Sequence, residues 1–173
     1  AGQTTTEETK NITPNRAVMH VKHNNGVVIQ GVSDLMLHLA KCCNPVPGDE
    51  IIGYVTKGRG VTIHRTDCRN VTDEAAKEGR LIDVDWENVG ERTETFNANI
   101  EIFGYNRSSL LSDVINKLNS LTKNIKNISG KVNEENIAHI YVTITVKDSQ
   151  QLNEALSRLR DIPDVYSTKR SDN

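Results

Sequence analysis

The sequence predicts an α+β protein made of two small α/β-sandwich domains in tandem. Two observations carry this. Apolar spacing alternates between the two-residue period of strands and the 3.6-residue period of helices, and it does so twice in the order β-α-β-β-α-β. Between the two runs, Asn88 to Thr95 holds Gly90 and several charges but no apolar stretch, which suits a boundary. The length of 173 residues accommodates one domain or two small ones. Hydrophobic residues make up 36% and aromatics 4%, so the cores must be built from Ile, Val and Leu.

Residues 1–26 are polar and rich in Thr, Asn and Glu, and they read as a flexible linker. His20 and His23 fall there as solvated side chains. The first domain is expected over 27–90. Val27 to Gln30 forms a short strand, punctuated by Gly31. Ser33 or Asp34 then caps a helix running through Cys42, with Leu35, Leu39 and Cys42 on one face. Pro45, Pro47 and Gly48 end it in a loop. Ile51–Thr56 and Gly60–His64 make a hairpin with its turn at Lys57-Gly58-Arg59-Gly60. A short polar helix follows over Arg69–Glu78, then an alternating strand over Leu81–Trp86.

The second domain is expected over 91–173. Phe96, Ala98, Ile100 and Ile102 share one face of a strand. Ser108 or Ser109 starts a helix carrying Leu110, Leu111, Val114, Ile115, Leu118 and Leu121. Strands over Ile125–Val132 and Ala138–Val146 flank a turn at Asn133–Asn136, with His139 on the outer face. Asp148 or Ser149 caps a second helix with Leu152, Leu156 and Leu159, ended by Pro163, and Val165–Thr168 is the last strand. This order is the ferredoxin-like arrangement.

All three cysteines lie in the first domain, spaced C-C-x20-H-x3-C with His64. Three thiols and one imidazole are the ligand set of a Cys3His zinc site, and His64 and Cys68 are one turn apart. Adjacent cysteines tend to point apart, so the alternative is one thiol packed in the core and one exposed. An odd thiol count does not fit a disulfide framework. A Cys–His nucleophile pair is a third reading. It is disfavoured because a helix C-terminus raises a thiol pKa, and no phosphate loop or H-E-x-x-H helix accompanies it.

The string from Lys41-Cys42-Cys43-Asn44-Pro45-Val46-Pro47-Gly48-Asp49 to His64-Arg65-Thr66-Asp67-Cys68 resembles the conserved-cysteine module of long RelA/SpoT proteins. Those are ribosome-associated enzymes that make and degrade (p)ppGpp, and the module is also called their zinc-finger or ribosome-intersubunit domain. The resemblance runs over about Val27 to Trp86. It implies Cys42, Cys43, His64 and Cys68 as metal positions, with zinc as the possible cofactor. It also gives weight to Lys57, Arg59, Arg65 and Arg69 around the hairpin as contacts to ribosomal RNA phosphates; taken singly, each reads as a solvated side chain.

The second domain resembles an ACT domain, a regulatory module that often binds amino acids between paired copies. The resemblance rests on Asn106-Arg107-Ser108-Ser109-Leu110-Leu111, Asn124-Ile125 and Leu159 to Val165. It implies Asn106, Ser109, Leu110 and Asn124 as amino-acid contacts. Where the family pattern reads D-R-x-G-L-L, Asn106 replaces the acidic residue and Ser109 the glycine. Ser109 places a side chain where a carboxylate would approach the backbone.

The two modules in this order resemble the C-terminal regulatory half of a bifunctional Rel protein. The expectation is a non-catalytic fragment that docks on ribosomal RNA and controls upstream domains of the same protein. The alternative is a sensor of branched-chain amino acids, with pairing into a homodimer. A formal charge of −2 means that RNA binding needs a local patch. No apolar run approaches the ~18 residues of a membrane span, and no secretory signal is visible. Free thiols suit the reducing cytoplasm, and the initial Ala suggests a cut from a longer protein.

Overall fold

The computed structural model describes residues 26–29, 36–58, 60–87, 94–121 and 124–171. The tail with His20 and His23, and the proposed caps Ser33 and Asp34, lie outside the described residues.

The first part contains β1 (Val27–Val28), β2 (Leu37–Leu39), β3 (Ile51–Thr56), β4 (Gly60–Arg65), α1 (Asp73–Lys77), β5 (Leu81–Asp83) and β6 (Asp85–Trp86). One sheet has the order β2-β4-β3-β5, and β1 pairs with β6 separately. The helix expected through Cys42 is not formed at Leu37–Leu39. These residues pair in parallel with Val61–Ile63 instead. The leucine spacing fits either element in so short a run, and burial of Leu37 against Val61 and Ile63 decides for the strand. Gly60 permits it. Its φ of +82° is left-handed, and a Cβ there would strike the Met36 carbonyl oxygen, which accepts from the Val61 amide at 2.8 Å.

Two further expectations shift. The helix expected over Arg69–Glu78 shortens to α1, because Thr72 caps it by accepting from the Ala75 amide. The strand expected over Leu81–Trp86 divides at buried Val84, with β5 on β3 and β6 on β1.

The second part contains β7 (Phe96–Tyr105), α2 (Leu110–Leu121), β8 (Ile125–Val132), β9 (Ile137–Val146), α3 (Ser149–Arg160) and β10 (Val165–Arg170). The antiparallel sheet order is β10-β7-β9-β8, the ferredoxin-like arrangement expected. Asp148 caps α3 through the Gln151 amide. Phe96, Ala98, Ile100 and Ile102 share a core with Val114, Leu118, Leu152 and Leu159.

The two parts share side chains. Val46, from the loop after the cysteine pair, is fully buried in the second core. Trp86 packs edge-on against Phe96, with ring centroids 5.6 Å apart, and its indole N–H donates to the Asp49 carbonyl at 3.0 Å. Among the described residues, no helix is long and apolar enough to cross a membrane.

Candidate metal centre

Cys42 and Cys43 follow β2 in a tight turn. The Asn44 amide donates to the Ala40 carbonyl at 2.9 Å, and Asn44 closes the turn with a φ of +43°. In such a helical turn successive side chains stand about 100° apart, against 180° in a strand, so both sulfurs reach one point. His64 comes from β4, on the sheet face opposite Val61 and Ile63. Cys68 comes from the turn after β4, where its amide donates to the Arg65 carbonyl at 3.0 Å.

The four ligand atoms all lie within 4.8 Å of one another. Cys42 Sγ is 3.6 Å from Cys68 Sγ and 3.4 Å from His64 Nδ1, and Cys43 Sγ is 3.9 Å from the same nitrogen. A tetrahedral zinc ion places sulfurs about 3.8 Å apart and sulfur and nitrogen about 3.6 Å apart, given bonds of about 2.3 and 2.0–2.1 Å. The geometry and donor chemistry therefore fit a closed four-ligand metal site. The Arg65 amide also donates to Cys43 Sγ at 3.3 Å, as suits a thiolate.

Burial pushes the Cys43 thiol up to about 12, and the sulfurs of Cys42 and Cys68 add to the rise against the Arg65 hydrogen bond. Burial also lowers the pKa of His64, which favours the neutral, ligating imidazole. A bound cation must displace the Cys43 proton. The cysteines sit in a turn and not at the helix C-terminus expected, so burial, not a helix dipole, raises the Cys43 pKa. A buried, protonated thiol is a poor nucleophile all the same.

Among the described residues, Lys57, Arg65 and Arg69 do not form one hairpin patch. Lys57 is exposed at the β3–β4 turn, and Arg59 lies outside the described residues. Arg65 ends β4, about 16 Å along the strand from Gly60 by strand rise, and pairs with Asp67 at 2.6 Å. Exposed Arg69 is just beyond Cys68. An extended strand separates Lys57 from the two arginines, which flank the metal-site end.

The second sheet has an open face that sequence reasoning missed apart from the outward position of His139. The His139 ring lies 4.1 Å from both Phe103 and Tyr141. Tyr166 contacts Phe103 and Tyr105 at centroid distances of 6.4 and 5.4 Å. Tyr105 and Tyr166 are 57% and 51% exposed. His139 Nε2–H donates to Glu101 at 2.9 Å and accepts at Nδ1 from Tyr141 at 3.2 Å. Lys169 Nζ lies 5.8 Å from the Phe103 ring centroid. Phe103, Tyr105, Tyr141 and Tyr166 are four of the seven Phe, Tyr and Trp residues in the chain, so a scarce resource is concentrated on one surface. The signal was their placement opposite the aliphatic positions of β7 and β9.

Residues 27–87 match the family model described as the RelA/SpoT RIS domain, and 92–170 match that of the ACT domain. The chain is a regulatory region of the RelA/SpoT family. It is 37% identical over 145 residues to a GTP pyrophosphokinase of Streptomyces coelicolor, covering 84% of this chain and 17% of that protein. It is 35% identical over 145 residues to the bifunctional (p)ppGpp synthase/hydrolase RelA of Mycobacterium tuberculosis, covering 84% of this chain and 19% of that protein. The chain thus spans less than a fifth of the length of these two relatives. The solved ACT domain from a GTP pyrophosphokinase of Chlorobium tepidum aligns at 23% identity and a TM-score of 0.40, over 45% of this chain and 100% of that one. The domains carried here are the regulatory RIS and ACT domains, not the catalytic domains of these enzymes.

In the ACT domain, a cavity of about 390 Å³ opens beside the loop between β7 and α2. Asn106 and Leu110 line it, with Leu111 and Val132. Ser109 does not line it: the Arg107 guanidinium donates to its hydroxyl, and also to Asp113, Asp164 and the Pro163 carbonyl. Asn124 is not brought to this loop. Its carbonyl accepts from the Thr145 amide, whereas Asn106 donates to the Asn136 carbonyl. The twelve residues of α2 separate the two asparagines and carry the chain about 18 Å along the sheet.

Proposed function

We propose that this chain is the non-catalytic C-terminal regulatory region of a (p)ppGpp synthetase/hydrolase, docking on ribosomal RNA and controlling upstream catalytic domains of the same protein. The observation that carries the reading is a RelA/SpoT RIS domain joined to an ACT domain in one chain, matched to relatives named for that activity. The open aromatic face of the ACT sheet supports the RNA contact. Unstacked bases bind aromatic rings on the central strands of four-stranded sheets, and Lys169 stands beside Phe103. A net charge of −2 makes this binding modest and salt-sensitive.

The resident metal in this reading is zinc, held by Cys42, Cys43, His64 and Cys68. A four-ligand zinc site supplies folding free energy and no catalytic position. Its work here is to fix the turn after β2 against the end of β4. Co-sedimentation with purified ribosomes tests the docking, and metal analysis of the same preparation tests the site. Association above background and one zinc per chain are expected; absence of either overturns the corresponding part.

The cavity beside Asn106 favours a second reading, an ACT-based sensor of branched-chain amino acids. Leu110, Leu111 and Val132 give it apolar walls, and the amides at the start of α2 suit a carboxylate. Calorimetry with valine and isoleucine, on wild type and Leu111→Asp, tests it, because Leu111 lines the cavity and is exposed. Wild-type binding that is lost in the variant is expected; no binding by wild type, or binding unchanged in Leu111→Asp, would overturn this reading.

A further inference from the structure

We infer that metal binding in the RIS domain is coupled to docking of the ACT domain, through the loop Asn44–Asp49 and with Arg170 as the positioning residue. The inference rests on the metal reading above and adds a partner for it within the same chain.

The loop has two attachments. At one end Asn44 directly follows the cysteine pair, and its amide closes the turn that aims both sulfurs. The rest of the loop is held by the ACT domain. Arg170, the last residue of β10, donates to the Asn44 carbonyl at 3.1 Å. The same guanidinium forks onto Asp49, at 2.8 Å to Oδ1 and 3.0 Å to Oδ2. Asp49 in turn accepts from the Val46 amide at 2.8 Å. The pair is mostly buried, with side chains 17% and 10% exposed. A planar fork on a carboxylate fixes geometry as well as charge.

Two backbone features complete the attachment. The Pro47 carbonyl accepts from the amide of Ser149, the first residue of α3, at 2.7 Å. Gly48 has a φ of +100°, and the Ser149 hydroxyl occupies the place a Cβ would take. Val46 enters the ACT core.

Separation of the two domains would strip the Asn44 carbonyl of its donor, expose Val46 and leave Asp49 without its cation. The turn presenting Cys42 and Cys43 would lose its clamp. Conversely, an ion that fixes the turn pre-organises the loop for the ACT domain. Linkage makes the two effects equal in free energy. Residues that orient metal ligands from outside the coordination sphere typically change affinity by about 10–100-fold.

The experiment uses the full chain. Zinc affinity is measured by competition with a chromogenic chelator for wild type, Arg170→Gln and Arg158→Gln. Arg158 is an exposed cation on α3 and pairs with Glu154 instead. In addition, hydrogen exchange at the Ser149 amide is compared in wild type with and without zinc, a measurement that needs no variant. Wild type should bind one zinc, Arg170→Gln should bind it about 10–100-fold more weakly, and Arg158→Gln should match wild type. Zinc should slow exchange at Ser149. Wild-type zinc binding with unchanged affinity in Arg170→Gln, or with no change in Ser149 exchange, would overturn the coupling and leave the metal reading intact. No zinc bound by wild type would overturn the metal reading itself, and the coupling with it.

Discussion

Cys42 and Cys43 meet His64 and Cys68 because the chain bends between Ala40 and Asn44, so that neighbouring side chains fan through one helical turn. Removing one ligand should abolish the closed site. Cys68→Ala is expected to lose stability on the order of several kcal/mol relative to the zinc-loaded wild type. A chelator should lower the melting temperature of the wild type and leave the variant unmoved. Equal chelator sensitivity in both would mean that these residues do not hold the metal. The four candidate ligands were legible from residue type and spacing. Their convergence was not, because it depends on the left-handed Asn44 and on register within β4, both set by tertiary contacts. Sequence proximity alone does not place the basic residues together: Lys57 and Arg65 are close in sequence, but the extended strand β4 between them carries the chain away from the hairpin tip.

Among the elements, the long and strongly patterned ones matched their sequence signals. Ten residues of β7 alternate cleanly, and α3 starts at the Asp148 cap and ends before Pro163. Ile102→Ala should therefore destabilise the fold by about 2–5 kcal/mol, as expected for deleting most of a fully buried side chain. Asp148→Ala should cost about 1 kcal/mol by leaving the Gln151 amide without its acceptor. Denaturant titration checks both, and an Ile102→Ala change below that of Asp148→Ala would contradict the packing described. Short elements were less legible. The three residues of β2 carry too few alternations to exclude a helix, and only pairing with β4 decides them. Leu81–Trp86 reads as one strand because no residue in it marks the break, which arises from β1 and β3 competing for its two halves.

At the scale of the whole molecule the two domains pack against each other through shared side chains. Val46 illustrates this: its sequence neighbours belong to the cysteine loop, but its side chain lies in the ACT core. Val46→Ala should cost about 2 kcal/mol and loosen both domains together, seen as a single lowered transition in calorimetry. Nothing in the local pattern announces such a contact, because the period that reveals a helix or strand is absent from a proline-rich loop. The aromatic face escaped notice similarly, since it is assembled from three strands distant in sequence.

The regulatory reading also requires that purified chain incubated with GTP and ATP, or with ppGpp, shows no turnover above buffer. Its central claim is ribosome docking, and salt-dependent co-sedimentation tests that most directly. Wild-type chain should pellet with ribosomes at ~50 mM salt and largely dissociate by ~200 mM, and Phe103→Ala with Tyr166→Ala should weaken pelleting while the fold persists. Wild type remaining in the supernatant at low salt, or the double variant pelleting as well as wild type, would contradict the account.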